Sequence, residues 1–473
     1  MDHAGRLAPG WREQGELLRK EDVLFKENGQ VDLQKCRWNV RGGEMWSREN
    51  HDKRHMAFFG FLALQFVILM LLLYTMRGKN AEAEQTIIFL KQEAIDISGK
   101  GAETDGNRVT IDQGGHYRIE GMSDNGQIYV DCEDETVLLE LGGLELSNPS
   151  DAAIYIEKAD YTTILLAEGT ENYLRSGRDD AKEGDGAVVY AEGDLFITGE
   201  GSLQVIGRLN NGIQSKAGLR IDSGNIEVEA VGNAVKGKEF VTIEGGDLRI
   251  RAGRRGIQAK YEFGITGGTL HISESEEGIE ANQIYIDGGV IEITAKDDGI
   301  NANGGKAKQE KKPSGDIVET MPNLIIRGGM LHIDAEGDGL DSNGNLLIEG
   351  GELVIDGPTK DDDGPLDYGR ENGGVCKIQD GTVLAVGSSG MAETFDESSE
   401  QCSFRYLFDE PYETGSEILI IAADGKVLYR HTAAKPGDSV VFSSPELVQG
   451  ETYTLKTGEL ETEIIQDSVS AGK

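Results

Sequence analysis

Between Asn211 and Gly357, carboxylates, amides and amines recur at fixed offsets from a repeated turn. The turns read Asn211-Gly212-Ile213, Asn233-Ala234-Val235, Arg255-Gly256-Ile257, Glu277-Gly278-Ile279, Asp298-Gly299-Ile300 and Asp338-Gly339-Leu340. Two residues after each central residue stand Gln214, Lys236, Gln258, Glu280, Asn301 and Asp341. Four residues after it stand Lys216, Lys238, Lys260, Asn282, Asn303 and Asn343. If the copies stack, the later ones concentrate oxygen. Asp298, Asn301, Asp338, Asp341 and Asn343 are the carboxylate and amide ligands that a hard cation such as Ca2+ takes, and extracellular sites of this kind bind at about 10⁻⁴–10⁻³ M. Without a cation, carboxylates one rung apart repel by about 1 kcal/mol in water and by more when desolvated. A second acidic run, Asp361, Asp362, Asp363 and Asp367, is a further calcium candidate. The competing account of both runs is a solvated acidic stripe, with amide ladders satisfying backbone groups at a corner.

The earlier copies are basic. Lys216, Lys238 and Lys260, with Glu280 and Asn303 downstream, form a candidate surface for a sugar polymer that carries carboxylates. A lysine beside calcium also suits elimination on a uronate, where metal neutralises the carboxylate and an amine removes the proton at C5. Equally, three lysines can cap a corner and stay in solvent. No Gly-x-Ser-x-Gly element or histidine-rich metal motif is present.

The elements that must position these columns follow from the period. Successive turns are 22, 22, 22, 21 and then 40 residues apart, the last step lengthened by an insertion at Gly304 to Asn323. Out of phase run Ser223-Gly224, Gly245-Gly246, Gly267-Gly268, Gly288-Gly289, Gly328-Gly329 and Gly350-Gly351. Alternating strands flank each pair, as Val241-Thr242-Ile243 and Leu248-Arg249-Ile250 do, which places Val241, Ile243, Leu248 and Ile250 on one face. No apolar period of 3.6 residues appears, and a leucine-rich repeat would need its fixed asparagine. A fixed period of this length means a solenoid. A lone rung cannot offset the chain entropy it loses, so many rungs must stack. The fold class predicted is all-β, a parallel β-helix, right-handed by the crossover rule.

Composition agrees. The 473 residues carry a net charge of −38, all of it beyond residue 56, and 65 glycines against 9 prolines. So acidic a body excludes nucleic acid and anionic lipid surfaces as partners and favours cations, or ligands held through cations. Residues 57–76 are uncharged and long enough to span a bilayer core of roughly 30 Å. Arg37, Arg41, Arg48, Lys53 and Arg54 precede them, which predicts an internal N-terminus and an exported repeat domain. The alternative is a signal peptide starting at Met45 or Met56 and cut near Ala81-Glu82-Ala83, giving a secreted protein. The layout expected is 1–56 cytoplasmic, 57–76 spanning, 77–107 a connector, 108–387 the β-helix, and 388–473 a C-terminal β unit and tail. Asp424-Gly425, between Ile418–Ile421 and Val427–Tyr429, signals a hairpin in that last unit. Of the four cysteines, Cys376 and Cys402 could pair, leaving Cys132 as a core residue and Cys36 on the other side of the span.

From about Val109 to Leu455 the chain resembles a family of exported bacterial carbohydrate-binding β-helix proteins. The segments that carry the likeness are Ile164-Leu165-Leu166-Ala167-Glu168-Gly169-Thr170-Glu171-Asn172, the repeated Gly-Ile corners, Ala385-Val386-Gly387-Ser388-Ser389-Gly390-Met391-Ala392-Glu393, and the tail Ser443-Ser444-Pro445-Glu446-Leu447 with Tyr453-Thr454-Leu455. The resemblance implies a right-handed helix like that of polysaccharide lyases, bound calcium, and affinity for acidic or cellulose-like polysaccharide without established catalysis. Arg255 and Glu277 depart from the Asp or Asn usual before the turn glycine. The N-terminal extension is a second departure. The expectation is a calcium-dependent carbohydrate-binding protein anchored in the cell membrane through residues 57–76. The alternatives are a pectate-type lyase using Lys216, Lys238 or Lys260 as base, and a structural envelope or adhesion protein.

Overall fold

The computed structural model describes residues 85–92, 94–178, 186–303, 310–311, 317–318, 321–458 and 460–472. The expected spanning segment 57–76 and the cytoplasmic segment before it lie outside these residues. Among the described residues, no helix is long and apolar enough to cross a membrane.

Each rung contributes one strand to each of three parallel ladders. One ladder carries the polar turns and forms a twelve-stranded sheet that runs through Asn211–Ser215, Val235–Gly237, Arg255–Ala259, Glu277–Ala281, Ile300–Ala302 and Leu340–Ser342 to Leu366–Tyr368. We call it the corner sheet. The second ladder stacks Gly218–Ile221, Phe240–Ile243, Glu262–Ile265, Gln283–Ile286, Asn323–Ile326 and Asn345–Ile348. The third stacks Asn225–Ala230, Asp247–Ala252, Thr269–Glu274, Val290–Ala295, Met330–Ala335 and Glu352–Asp356. This is the pairing of a β-solenoid. Alternation sends Leu248, Ile250, Ile257, Phe263 and Ile265 inward, each at most 2% exposed, so one continuous apolar column fills the coil.

The glycine pairs make the corner between the second and third ladders. In Gly267-Gly268 the second residue has φ +82°, a left-handed conformation open to glycine. A Cβ on the first would lie 2.9 Å from the Glu244 carbonyl one rung away, so both positions exclude side chains. Gly299, in a polar turn, is constrained by approach: its Cβ would sit 2.7 Å from the Gly339 carbonyl.

Order extends further toward the N-terminus than a polar connector over 77–107 would allow. Thr86–Lys91 pairs parallel with Gly115–Ser123 and antiparallel with Ala94–Ser98, and buries Ile88 and Leu90. Ala102–Asp105 folds back on Arg108–Ile111 to begin the corner sheet. The apolar run Ile87-Ile88-Phe89-Leu90 was the signal for this. Within the insertion, Glu310–Lys311 and Ile317–Val318 form a small antiparallel pair.

At the other end, Thr382–Gly387 closes the third ladder and accepts Gly437–Ser443 antiparallel, which in turn pairs with Ser403–Tyr412. A four-stranded antiparallel sheet follows, and the hairpin about Asp424-Gly425 forms with Ile420 opposite Tyr429. Cys132, Cys376 and Cys402 are all free, so the pairing considered for Cys376 and Cys402 is not made.

Candidate metal and carbohydrate site

The corner sheet brings the sequence offsets into register. Gln214, Lys236, Gln258, Glu280, Asn301, Asp341 and Asp367 are successive Cα partners and form one outward column. Upstream the same column is aromatic: Tyr129, Tyr155 and Tyr190, with ring centroids 5.5 and 4.9 Å apart and nearly parallel planes. Arg108 lies over the first ring at 3.5 Å. One line of positions thus passes from aromatic through basic to acidic.

The column before the turn glycine braces the backbone. Asn211 Oδ1 accepts the amide of Asn233 at 2.9 Å, and Asn233 Oδ1 that of Arg255 at 3.2 Å. Asp298 and Asp338 do the same for Asp338 and Gly364, at 2.9 and 2.6 Å. Each therefore commits its Oδ1 to the corner. Asn301 Nδ2 donates to Asp298 Oδ2 at 2.7 Å. That bond turns Asn301 so that its Oδ1, buried, has no hydrogen-bond partner, in a residue only 6% exposed.

Carboxylate oxygens of Asp338, Asp341 and Asp367 lie within 4.8 Å of one another. Among the described residues no lysine, arginine or histidine pairs with these three or with Asp298. Burial is the leading cause of a raised pKa at each: Asp298 to about 6, Asp338 to about 7 and Asp341 to about 8, with Asp367 raised as well. Repulsion from neighbouring carboxylates adds to it. The residues therefore fit a hard cation: several oxygens converge, one amide oxygen is orphaned, and no counter-charge stands among the described residues.

The other expected ligands fall elsewhere. Asn343 Nδ2 donates to Asn303 Oδ1 at 3.2 Å in an amide ladder beside the cluster. Asp361, exposed, accepts Ser388 Oγ at 2.7 Å, and Asp362 is exposed too. Asp363 stands close enough to raise Asp298 and Asp338 electrostatically. Asp367, grouped by sequence with Asp361–Asp363, instead sits opposite Asp341, because the connection after Asp356 brings Leu366 into register with Leu340. A 26-residue step hides that partnership from a reading based on period.

The basic rungs differ from expectation as well. Lys216, Lys238 and Lys260 are exposed. Lys216 lies 5.8 Å over the Tyr190 ring, and Lys260 Nζ donates to Tyr261 OH at 2.6 Å. Lys236, on the column itself, is half-buried, and burial followed by the nearby Arg255 lowers its pKa below the usual lysine value. Arg255 pairs with Glu277 at 2.6 Å and also with Glu280, which accepts Gln258 Nε2 at 2.9 Å. The departures at Arg255 and Glu277 thus complement each other across one rung and separate the basic half from the acidic half.

A family model described as carbohydrate-binding domain-containing protein matches residues 105–364. A relative from Acetivibrio thermocellus with the same description is 34% identical over 158 residues, 32% of this chain and 55% of the relative. The chain thus spans about half the length of that relative. A solved structure described as the polysaccharide lyase-like protein from C. thermocellum, a gadolinium derivative, is 31% identical and covers 46% of this chain and 90% of its own, with a TM-score of 0.38. The family match takes in more than half of the chain, including every rung of the mixed-charge column up to Asp341, and the protein belongs to the carbohydrate-binding domain-containing family.

Proposed function

We propose that this protein binds acidic or cellulose-like polysaccharide along the corner sheet, with calcium held by Asp338, Asp341 and Asp367 and flanked by Asp298 and Asn301. The observation that carries the metal is the convergence of three carboxylates without a counter-charge among the described residues, beside the orphaned oxygen of Asn301. Calcium, when bound, would offset the repulsion and present a positive centre to ligand oxygens. Family membership supports the carbohydrate. The column supplies what a sugar needs: amides, charged groups and tyrosine hydroxyls on a rigid sheet.

Spacing favours binding over elimination chemistry by the three lysines. The rung of Lys260 precedes that of Asp341 by three steps. At about 4.8 Å per step that is roughly 14 Å, too far for one sugar ring to meet both. The coil is right-handed by the crossover rule, and display at the cell surface rests on residues 57–76 as an anchor.

Calorimetric titration of calcium into the full chain is the direct test, with a 1:1 isotherm expected for wild type and none for Asp341→Asn. A flat wild-type trace sinks the metal. Pull-down on polygalacturonate and on cellulose, with and without EGTA, then tests the polymer. Protease treatment of intact cells that leaves the solenoid uncut would count against surface display.

A further inference from the structure

Lys236 is an unusual charge in this chain. Acidic residues outnumber basic ones by 84 to 46, yet this half-buried ammonium has no hydrogen bond or ion pair among the described residues. Its rung neighbours are both amides, Gln214 before it and Gln258 after. Each amide is held by its oxygen: Gln214 Oε1 accepts Asn211 Nδ2 at 2.7 Å, and Gln258 Oε1 accepts Asn233 Nδ2 at 3.0 Å. The brace determines which end of each glutamine is left to point outward. Gln258 spends its Nε2 on Glu280 at 2.9 Å, whereas Gln214 Nε2 makes no such bond. An ammonium and an amide N–H2 with no protein acceptor therefore stand on adjacent rungs, about 4.8 Å apart. Glu280, the carboxylate whose charge acts on Lys236, is already engaged by Arg255, as is Glu277. Arg255 thus keeps the acidic half from neutralising Lys236.

We propose that Lys236 and Gln214 form a second, metal-independent subsite of the corner sheet that takes a carboxylate of a uronate polymer directly. This rests on the carbohydrate reading above and adds a site to it. A neutral sugar hydroxyl can accept from Lys236 but leaves its charge uncompensated, whereas a carboxylate accepts from both donors at once and supplies the opposite charge. Lys236 precedes Asp341 by four rungs. The two subsites are thus roughly 19 Å apart along the column. One polymer chain lying along the solenoid axis reaches both, whereas a monosaccharide reaches one. Affinity should therefore rise steeply with chain length, as for linked epitopes.

The test uses the full-length protein and oligogalacturonates from monomer to octamer, with cello-oligosaccharides as the neutral control. In EGTA, wild type should retain weak, salt-sensitive binding to the longer oligogalacturonates. Lys236→Gln should lose about tenfold of it, the worth of a hydrogen bond to a charged group. Lys236→Arg should keep most of it, and both variants should titrate calcium as wild type does, which also shows that they fold. In calcium, the octamer should outbind the dimer in wild type and lose that advantage in Lys236→Gln. Calcium-dependent binding indifferent to Lys236→Gln overturns this subsite and leaves the metal reading standing. Binding that ignores calcium but falls on Lys236→Gln overturns the metal reading and supports this subsite. Absence of oligogalacturonate binding in both conditions, or equal loss for cello-oligosaccharides, overturns the proposal.

Discussion

Two groups of inward or half-buried aspartates in this molecule meet opposite fates. Asp356, at the end of the third ladder, is fully buried and accepts His332 Nε2 at 3.1 Å, His431 Nε2 at 2.9 Å and the amide of Ala434 at 3.0 Å. Those partners hold its carboxyl far below the usual range, even against burial. Nearby, Lys435 reaches the Ala335 carbonyl at 2.7 Å and Asp334 at 2.6 Å, so the C-terminal hairpin is clamped to the solenoid by charge. Asp338, Asp341 and Asp367 converge with no basic side chain paired to them among the described residues, and burial raises all three. Burial alone does not mark a functional carboxylate. What differs is whether the fold itself supplies the counter-charge: where it does, the group is structural, and where it withholds one, the site waits for something from solution.

The comparison can be broken most forcefully at Asp356. Asp356→Ala leaves His332, His431 and Ala434 without their acceptor and should lower stability by about 3 kcal/mol or more. Urea unfolding followed by a probe in the C-terminal sheet reads this, and an unchanged midpoint would show the clamp to be idle. At the other site the sign reverses. Asp341→Asn removes a repelling charge and should raise metal-free stability by roughly 1 kcal/mol, discounted for its partial exposure, while abolishing the calcium-induced gain in Tm. A loss of stability without calcium would mean that Asp341 is satisfied after all.

Acidity should separate the two regions more gently. Groups with raised folded values contribute most below their unfolded values near 4 and lose that contribution as pH rises through about 6 for Asp298, 7 for Asp338 and 8 for Asp341. Metal-free protein should therefore melt earlier at pH 8 than at pH 5.5, and calcium should recover most at pH 8, with protons released on binding. His332, also raised, loses its contribution on the same alkaline side. Asp356 runs the other way: its contribution is full above about 4 and fades only in strong acid. Melting curves at several pH values with and without EGTA decide this, and a metal-free Tm that climbs from pH 5.5 to 8 would contradict it. The smallest effect belongs to Lys216→Ala, whose exposed side chain should change stability by no more than about 0.5 kcal/mol.

The rung, the three ladders and the column Gln214 to Asp341 were legible in the chain because identical side chains cannot stack into a coil unless they recur at one interval, and the interval is printed in the turns. Ile257 predicts Ile279 as its neighbour, and the two are partners. The carboxylate cluster was legible only in part. Asp338 and Asp341 follow from the offsets, but Asp367 comes after a longer connection, and Asn343 turned away to Asn303. Spacing set Lys236 two residues after its turn and Lys216, Lys238 and Lys260 four residues after theirs, but it did not show where each strand stops. The strands end at Ser215, Gly237 and Ala259, which leaves Lys236 on the sheet and the other three at its rim.

By itself, then, the sequence determined a periodic all-β coil, an acidic body, and the stretch of chain along which oxygen ligands accumulate, since these depend on composition and interval alone. Tertiary structure decided which oxygen of each aspartate is spent on a neighbouring amide, which residue joins Asp338 and Asp341 from beyond the repeat, and which charges receive partners. Such choices depend on distances of a few ångströms between residues on different rungs. Hydrogen bonds are made or lost and charge–charge energies change severalfold over that range, and no count of positions along the chain can supply it.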